Sequence, residues 1–288
     1  MLKRGFPAGG LATAIALASA LAGAAPAHAG LDIGIGLGRV EGEFGSDESR
    51  SLDHLFLQAE FGGAGSRLLI RIPYVQVDKT GNVTATPDGP IILGAGGPGR
   101  PPWQESLAGE SESGFGDLYV RAETFLVRAG QGKRPNLGLI FDLKWPTADE
   151  KQGLGTGERD WGAGIDYVQP LGKVVQILGE VSYRFMGSPE GVAFDDRLRF
   201  AAGMAFVSAH VTWRLSGEQI SPVLEQVPLF DALGVPTGVL DVEDQRIARG
   251  EVVVQSGNGG TARLYVLTGL NDSSPDLGFG LVLSSGSQ

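Results

Sequence analysis

Residues 173–186, Lys-Val-Val-Gln-Ile-Leu-Gly-Glu-Val-Ser-Tyr-Arg-Phe-Met, alternate between two kinds of side chain. One set is Val175, Ile177, Gly179, Val181, Tyr183 and Phe185, and the other is Gln176, Glu180, Ser182 and Arg184. Leu178 is an apolar residue within the polar set. Because successive side chains of a strand point to opposite faces, a period of two predicts a β-strand with one apolar and one polar face.

The same alternation recurs along the chain and predicts twelve strands. These strands are 31–43, 53–62, 66–77, 117–126, 136–145, 159–169, 173–186, 196–206, 210–217, 247–256, 261–269 and 276–285. Such even spacing is typical of an all-β barrel or sandwich.

The connections between the predicted strands alternate in length. The short ones are 62–65, 130–133, 170–172, 207–209 and 257–260. The long ones are 44–52, 78–113, 146–158, 187–195, 218–246 and 270–275. Short turns at one end and long loops at the other are typical of outer-membrane barrels, in which the long loops face outward. An even number of crossings also returns both chain ends to the periplasmic side.

Alternation alone does not say which face lies inside. A lipocalin-like barrel is apolar inside, and a soluble β-sandwich has an apolar core between polar outer faces. A closed sheet of twelve strands, however, has a lumen wider than one layer of aliphatic side chains can fill. We therefore predict a single-chain antiparallel transmembrane β-barrel of about 12 strands, with a polar lumen and an apolar exterior. The sandwich is the soluble alternative.

The first 29 residues have the layout of an export signal. Lys3 and Arg4 precede an apolar run over 11–21, and Ala27-His28-Ala29 supplies a small-residue exit. This order predicts a cleaved signal peptide over 1–29 and a barrel domain over 30–288. The competing interpretation is a membrane anchor, which needs roughly 17–25 apolar residues, and this run is short and rich in Ala and Gly.

Composition and charge exclude several classes of function. The whole chain carries a net charge of −10, and removing Lys3 and Arg4 with the signal would make it −12. Nucleic-acid binding needs a basic face, so we expect no nucleic-acid partner. The absence of cysteine excludes disulfides and thiolate metal sites. Glycine, at 46 of 288 residues, suits tight turns and curved strands.

The sequence offers little for catalysis or for a cofactor. His54 and His210 are the histidines outside the predicted signal, they lie on distant strands, and neither G-x-S-x-G nor H-E-x-x-H occurs. A serine beside one of them, Ser51 or Ser208, is the strongest enzymatic alternative, as in a lipid-modifying outer-membrane enzyme. The glycines within 153–157 precede a strand pattern instead of the helix that a phosphate loop requires. We predict no enzyme, no cofactor and no metal site.

A series of motifs in the centre of the chain resembles a known family. The motifs are Gly114-Phe115-Gly116-Asp117, Lys144-Trp145-Pro146-Thr147-Ala148-Asp149, Gly153-Leu154-Gly155-Thr156-Gly157 and Asp160. They resemble the family labelled putative MetA-pathway of phenol degradation, whose members usually have Gly where this chain has Ala148. The resemblance implies a bacterial outer-membrane channel or transporter, often associated with aromatic compounds. Its expected partners are outer-membrane lipid, lipopolysaccharide, the barrel-assembly machinery and a small-molecule solute.

If the apolar faces meet lipid, the opposite faces place charges of both signs in the lumen. The candidates for a constriction are Arg71, Asp117, Arg121, Glu123, Asp142, Lys144, Glu180, Arg184, Arg199 and Arg214, and Arg67, Asp160, Asp166 and Arg197 share their face. Two interpretations stay open. The charges form salt bridges that hold the strands and partly occlude the pore, or some of them select solutes as charged rings do in other channels.

Two long loops contain more apolar residues than solvent exposure explains. Ile92 and Trp103 lie in 78–113, and Leu229 and Phe230 lie in 218–246. We hypothesise that these residues form an apolar mouth for hydrophobic or aromatic compounds, with packing of loop on loop as the alternative. The predicted function is a passive channel for small molecules. A barrel without transport activity, serving as an enzyme, an adhesin or a structural element, is the alternative.

Overall fold

The structure, a computed structural model, describes residues 30–43, 49–63, 65–77, 82–86, 89–94, 112–128, 134–152, 154–188, 194–223, 226–230, 236–241, 243–257 and 259–286. The predicted signal peptide lies outside these residues. The described part is almost entirely strand, and its helical segment is a single 3-10 turn over Glu150–Gln152. Within that part, no helix has the length and apolar composition needed to cross a bilayer.

Seventeen strands are present in the described residues. They are β1 (Gly30–Gly42), β2 (Arg50–Gly62), β3 (Ser66–Val77), β4 (Asn82–Thr86), β5 (Gly89–Gly94), β6 (Glu112–Phe115), β7 (Leu118–Val127), β8 (Asn136–Trp145), β9 (Asp160–Leu171), β10 (Val175–Phe185), β11 (Arg197–Val207), β12 (Val211–Ile220), β13 (Gln226–Phe230), β14 (Pro236–Asp241), β15 (Gln245–Gln255), β16 (Gly260–Gly269) and β17 (Leu277–Gly286).

Twelve of these strands close into one antiparallel barrel. The order around the wall is β1, β2, β3, β7, β8, β9, β10, β11, β12, β15, β16 and β17, and β17 pairs again with β1. Strand β6, which precedes β7, pairs with the same strand, β3, and a break at Gly116 and Asp117 separates β6 from β7. Each of the twelve predicted segments corresponds to one barrel strand, so the predicted strand count and closed barrel are confirmed.

The two faces of the wall are chemically distinct. In β1, the side chains of Ile33, Ile35 and Leu37 point outward and are about half exposed, while Gly34 and Gly36 point inward and are buried. The outward positions of the other barrel strands also carry large apolar side chains, which include Leu57, Ile72, Trp161, Phe200, Trp213, Leu264 and Phe279. The charged side chains of β7 to β12 point into the lumen. An apolar exterior around a polar lumen is the predicted orientation, and it excludes both the lipocalin-like barrel and the sandwich.

The two ends of the barrel differ as the loop lengths predict. At the short-turn end, tight connections join β2 to β3, β9 to β10, β11 to β12 and β15 to β16. At the long-loop end, two connections carry hairpins of their own, β4–β5 and β13–β14. Strands β5 and β13 lie next to each other, so the two long loops meet at this end.

Candidate functional site

A cavity of about 330 Å³ lies in the lumen of the barrel. Its lining changes along the barrel axis, as the inward side chains of β3 illustrate. From the middle of the wall toward the long-loop end, these side chains are Arg71, Pro73, Val75 and Val77. The cavity therefore has a charged part in the middle of the barrel and an apolar part toward the long loops.

We call the apolar part the vestibule. Its lining residues are Val40, Leu52, Pro73, Val75, Leu154, Ile220, Ile247, Leu267 and Pro275. The strand register explains why they meet: Val40 pairs with Leu52 across β1 and β2, and Leu52 pairs with Val77 across β2 and β3. Ile220, Ile247 and Leu267 pack together on β12, β15 and β16. Strand β17 lies between this group and Val40, since its Gly278 pairs with both Val40 and Leu267. The vestibule is therefore lined by two apolar groups on neighbouring parts of the wall.

Leu154 reaches the vestibule because the loop between β8 and β9 folds inward. Its side chain is 2% exposed and packs in a cluster with Leu52, Val75 and Val77. Gly114 on β6 makes room for it, since a Cβ atom there would lie 2.6 Å from the Leu154 Cδ1 atom. The loop is therefore part of the wall of the cavity.

A buried group of charges holds this loop in place. The Lys144 Nζ atom lies 3.0 Å from an Asp160 carboxylate oxygen and 3.4 Å from an Asp117 carboxylate oxygen, and it also donates to the Thr156 hydroxyl. The side chains of Lys144, Asp117 and Asp160 are at most 3% exposed. Because a buried charge is costly unless it is paired, one lysine between two carboxylates fixes the loop to both neighbouring strands. We call Lys144, Asp117, Asp160 and Thr156 the loop anchor.

Backbone contacts complete the attachment of the loop. The backbone amides of Thr147 and Ala148 both donate to Asp117 at 3.1 Å. A Cβ atom on Gly155 would lie 2.7 Å from the Cβ of Ala148 and from the Asp117 carboxylate, so this glycine accommodates the alanine that departs from the family pattern. Gly157 adopts a φ of 71°, which favours glycine. The motifs of the family resemblance therefore build a structural loop.

The surface of the same loop carries two neighbouring carboxylates. Partial burial, together with the nearby charge of Glu150, raises the pKa of the Glu158 carboxyl. Arg159 stacks over the Trp145 ring, with its guanidinium carbon 4.0 Å from the ring centroid. The indole thus covers the chain just before Asp160 begins β9.

Below the vestibule, the middle of the lumen holds what we call the charge ring. Its members are Arg71, Arg121, Arg184, Arg199, Arg249 and Arg263, with Asp142, Glu180, Glu218 and Glu251. Six guanidinium groups therefore stand against four carboxylates. This excess of two positive charges contrasts with the negative charge of the whole chain.

Most members of the charge ring are paired across strands. Glu180 binds both Arg121, at 2.9 Å, and Arg199. Glu218 continues the chain of pairs, since it binds Arg199 at 2.8 Å and Arg249 at 3.2 Å. Arg121 on β7 reaches Glu180 on β10 past β8 and β9, and β9 presents glycines at inward positions 162 and 164. The ring thereby ties together strands that are not hydrogen-bonded to each other.

The part of the wall between Arg263 on β16 and Arg71 on β3 consists of glycines and aromatic rings. Gly36 and Gly38 of β1 face the lumen, and a Cβ on Gly36 would overlap the Phe56 ring. A Cβ on Gly38 would lie 2.7 Å from both the His54 ring and the Tyr265 hydroxyl, two groups that are 3.3 Å apart. Because side chains at these positions of β1 would overlap the rings, the glycines make room for them. We call this surface the glycine wall.

The predicted constriction residues occupy three places in the structure. Arg71, Arg121, Asp142, Glu180, Arg184 and Arg199 belong to the charge ring. Lys144 and Asp117 belong to the loop anchor, where the lysine is enclosed. Glu123 pairs with Arg67 nearer the short-turn end, and Arg214 binds Glu251 of the charge ring at 2.9 Å. The ion pairs expected between neighbouring strands are present, and a role in selectivity stays a prediction.

Sequence reasoning missed part of the site. Arg249, Glu251, Arg263 and Tyr265 were within predicted strands at inward positions, so the alternation could have identified them. Glu218 lies one residue beyond the predicted end of its strand. Of the proposed mouth residues, Trp103 lies outside the described residues. Ile92, Leu229 and Phe230 lie on the two loop hairpins, where the structure describes the backbone.

The two histidines among the described residues, His54 and His210, lie at different heights of the barrel. His54 lines the cavity beside Tyr265, whereas His210 lies in the tight turn between β11 and β12. In that turn, the hydroxyl of Ser208 donates to the Val211 carbonyl and accepts from the Val211 amide. Among the described residues, no cluster of His, Asp and Glu is suited to hold a metal ion.

Comparison with known proteins agrees with this architecture. A family described as "Putative MetA-pathway of phenol degradation" matches residues 40–219. No protein of curated description matches the sequence.

Three solved structures are similar to the barrel. An outer membrane channel from Pseudomonas putida F1 has a TM-score of 0.59 and 14% sequence identity over 92% of this chain and 97% of that chain. The NanC porin has a TM-score of 0.49, 7% identity and coverage of 89% and 98%. The translocator domain of the autotransporter NalP from Neisseria meningitidis has a TM-score of 0.48, 9% identity and coverage of 98% and 95%. The first of these similarities supports the fold.

Proposed function

Because the chain belongs to the family described as putative MetA-pathway of phenol degradation, with a match over most of its length, we propose that it is an outer-membrane channel. Its solutes are small molecules that include hydrophobic and aromatic compounds, and they pass without an energy source. The observation that carries this proposal is the lumen cavity, in which an apolar vestibule lies directly above a charge ring.

The outer surface of the barrel supports a membrane location. Large apolar side chains are exposed around the wall, as Trp161 at 53% and Trp213 at 57% illustrate. In a hydrocarbon environment every backbone polar group must be bonded internally, and a closed barrel meets that requirement. Contact with outer-membrane lipid, with lipopolysaccharide at the long-loop end and with the barrel-assembly machinery belongs to the same proposal, as does export by residues 1–29.

The vestibule supports passage of hydrophobic or aromatic solutes. Ligand cavities of about 300–1,000 Å³ with mainly apolar walls are typical of small-molecule sites, and this cavity is at the lower limit of that range. Its apolar walls are formed by the ends of the strands, so they are held by the hydrogen bonds of the sheet. Since apolar surface is favoured away from water, a hydrophobic molecule concentrates there before it meets the charges.

A conductance experiment tests the proposal. The purified protein, whose folded state is verified by heat-modifiable gel mobility, is inserted into a planar bilayer in KCl with and without toluene. We expect discrete single-channel steps, and we expect toluene to reduce the current because it occupies the vestibule. A folded barrel that never conducts would contradict the channel and favour a barrel without transport activity.

A matched pair of variants tests the role of the vestibule. Val75→Thr places a hydroxyl of nearly the same shape in the vestibule, where Val75 is 6% exposed, and it should weaken the effect of toluene several-fold. Val181→Thr makes the same change on the outer face, where the side chain is 46% exposed, and it should leave the toluene effect unchanged. Equal toluene effects in both variants would remove the vestibule from the proposed path.

A further inference from the structure

Arg71 differs from the other arginines of the charge ring. Among the described residues, no carboxylate lies within ion-pair distance of it, whereas Arg121, Arg249 and Arg263 each have one at 3.8 Å or less. Its guanidinium Nη2 donates to the Gln58 side-chain oxygen at 3.2 Å, and its Nε atom has no hydrogen-bond partner. The guanidinium therefore retains donors that a negatively charged group could use.

The surroundings of Arg71 favour an anion. Arg71 lines the cavity together with two further arginines, Arg121 and Arg263. A negatively charged group beside Arg71 would be stabilised by its guanidinium and by the excess of two positive charges in the charge ring.

The position of Arg71 also fixes which part of a bound molecule it would meet. It is followed on β3, toward the long loops, by Pro73 and Val75, whose side chains begin the vestibule. The Phe56 ring lies under its guanidinium, with the guanidinium carbon 4.2 Å from the ring centroid. Apolar surface thus lies on the long-loop side of Arg71, and the other members of the charge ring share the cavity with it.

We propose that Arg71 and the vestibule form a binding site for a small aromatic carboxylate, with its carboxylate on the guanidinium and its ring against Pro73, Val75 and Phe56. This proposal rests on the proposed function and names the solute class more closely: an apolar body with one negative charge. A planar guanidinium matches the geometry of a carboxylate and can donate two parallel hydrogen bonds to it. The apolar walls hold the ring at the same time.

The site gives the channel a preference that an apolar vestibule alone would not give. A neutral aromatic molecule gains binding free energy from the apolar walls but supplies no negative charge to the Arg71 guanidinium. An aromatic amine brings a positive charge toward six arginines. We therefore expect binding to follow the order of carboxylate first, alcohol second and amine last.

The experiment compares three probes of nearly the same size on the full-length, folded protein: benzoate, benzyl alcohol and benzylamine. Titration calorimetry measures their affinities for the wild-type chain, for Arg71→Gln and for Arg263→Gln. The two variants remove the same charge from the ring, but Arg263 is already paired with Glu251, at 3.8 Å. We expect benzoate to bind the wild type at least about 10-fold more tightly than benzyl alcohol, since a hydrogen bond to a charged group is worth about that factor or more.

Each outcome decides something. Loss of the benzoate preference in Arg71→Gln with its retention in Arg263→Gln supports the site. Equal losses in both variants would show a general effect of ring charge and overturn the specific role of Arg71. Wild-type protein that conducts in the bilayer but binds the three probes equally would overturn the site and leave the channel intact. This wild-type comparison needs no variant to fold, and absence of conductance would instead count against the proposed function.

Discussion

Replacing Lys144 by methionine removes the cation of the loop anchor while keeping most of the length and apolar stem of the side chain. The lysine is 1% exposed and lies 3.0 Å from Asp160 and 3.4 Å from Asp117. In the variant, two buried carboxylates would face each other without the positive charge between them. We expect a large loss of stability and detachment of the loop that carries Leu154.

Three estimates bear on the magnitude. At an effective dielectric constant of about 20, each of the two attractions is worth about 5 kcal/mol before the cost of burying the lysine is subtracted. Breaking a buried ion pair by removing one partner costs about 3–5 kcal/mol in proteins. The variant can also relieve the repulsion by adding a proton to one carboxyl, which at pH 7 costs about 4 kcal/mol for a group of ordinary acidity. We therefore expect a loss of about 3–5 kcal/mol.

The assay is reversible urea unfolding in lipid vesicles, with Lys173→Met as the control. Lys173 is exposed in the turn between β9 and β10, and its replacement should change the free energy of unfolding by no more than about 0.5 kcal/mol. Because one carboxyl takes up a proton in the variant, the free energy of unfolding of the variant depends on pH. The native Lys144→Met variant then binds a proton that its unfolded chain does not bind, so its stability rises as the pH falls. The difference from the control should shrink by up to about 1.4 kcal/mol per unit between pH 7 and pH 5.

Two results would refute this reasoning. If Lys144→Met unfolds at the same urea concentration as Lys173→Met, the three charges do not hold the loop. If the difference in stability grows as the pH falls, then the two carboxylates are not the source of the penalty. Limited proteolysis within 149–158 supplies an independent measure, because a detached loop should be cut faster than the attached one.

Two further predictions concern the lumen. Gly36→Val should displace the Phe56 ring into the lumen and lower the single-channel conductance at least about twofold. Gly217→Val is the control, because an added Cβ there has no atom within 4 Å, and it should leave the conductance unchanged. Equal conductance in the two variants would argue against the packing of Phe56 on the glycine wall. Arg121→Ala or Arg184→Ala should change the conductance or the ion preference measured from the reversal potential, and unchanged values in both would remove the selectivity role of the charge ring.

The strands and their faces could be predicted because they depend on local alternation. The segment 173–186 shows this: Val181, Tyr183 and Phe185 point outward in the structure, and Glu180 and Arg184 point inward. Such alternation survives in a single sequence because each face meets one environment along the whole strand. The lengths of the connections likewise predicted which ends of the strands lie together.

The vestibule could not be predicted in the same way, because it interrupts the alternation. Leu52, Val75 and Ile220 are apolar residues on inward positions near the ends of their strands, where the pattern predicts polar ones. Two of them lie outside the predicted strand bounds, so the sequence predicts an apolar mouth on the long loops instead. The inward fold of the 146–158 loop was missed for a related reason, since its anchor combines residues that are distant in sequence.

The pairs of the charge ring depend on closure of the barrel. Arg121 and Glu180 are 59 positions apart and lie on strands that do not hydrogen-bond to each other. No local pattern contains that contact, because it requires the barrel curvature, with β8 and the glycines of β9 between the two side chains. The alternation thus predicts that both residues face the lumen, whereas their contact depends on closure of the barrel.

The asymmetry of the lumen explains how a ring with so many charges leaves space for a solute. Ion pairs fill the side formed by β7 to β16, whereas β17 and β1 contribute glycines at 280, 36 and 38. Each of these glycines accommodates an aromatic side chain, which would otherwise stand in the lumen. The lumen cavity is lined there by Phe56, His54 and Tyr265, beside Arg71 and below the vestibule, and we expect a solute to pass along this side. A solute that follows this path meets aromatic rings on one side and Arg71, the one arginine of the described charge ring without a carboxylate partner, on the other. The uneven distribution of ion pairs and glycines around the wall therefore leaves the passage open, and it also determines where the channel should select its solutes.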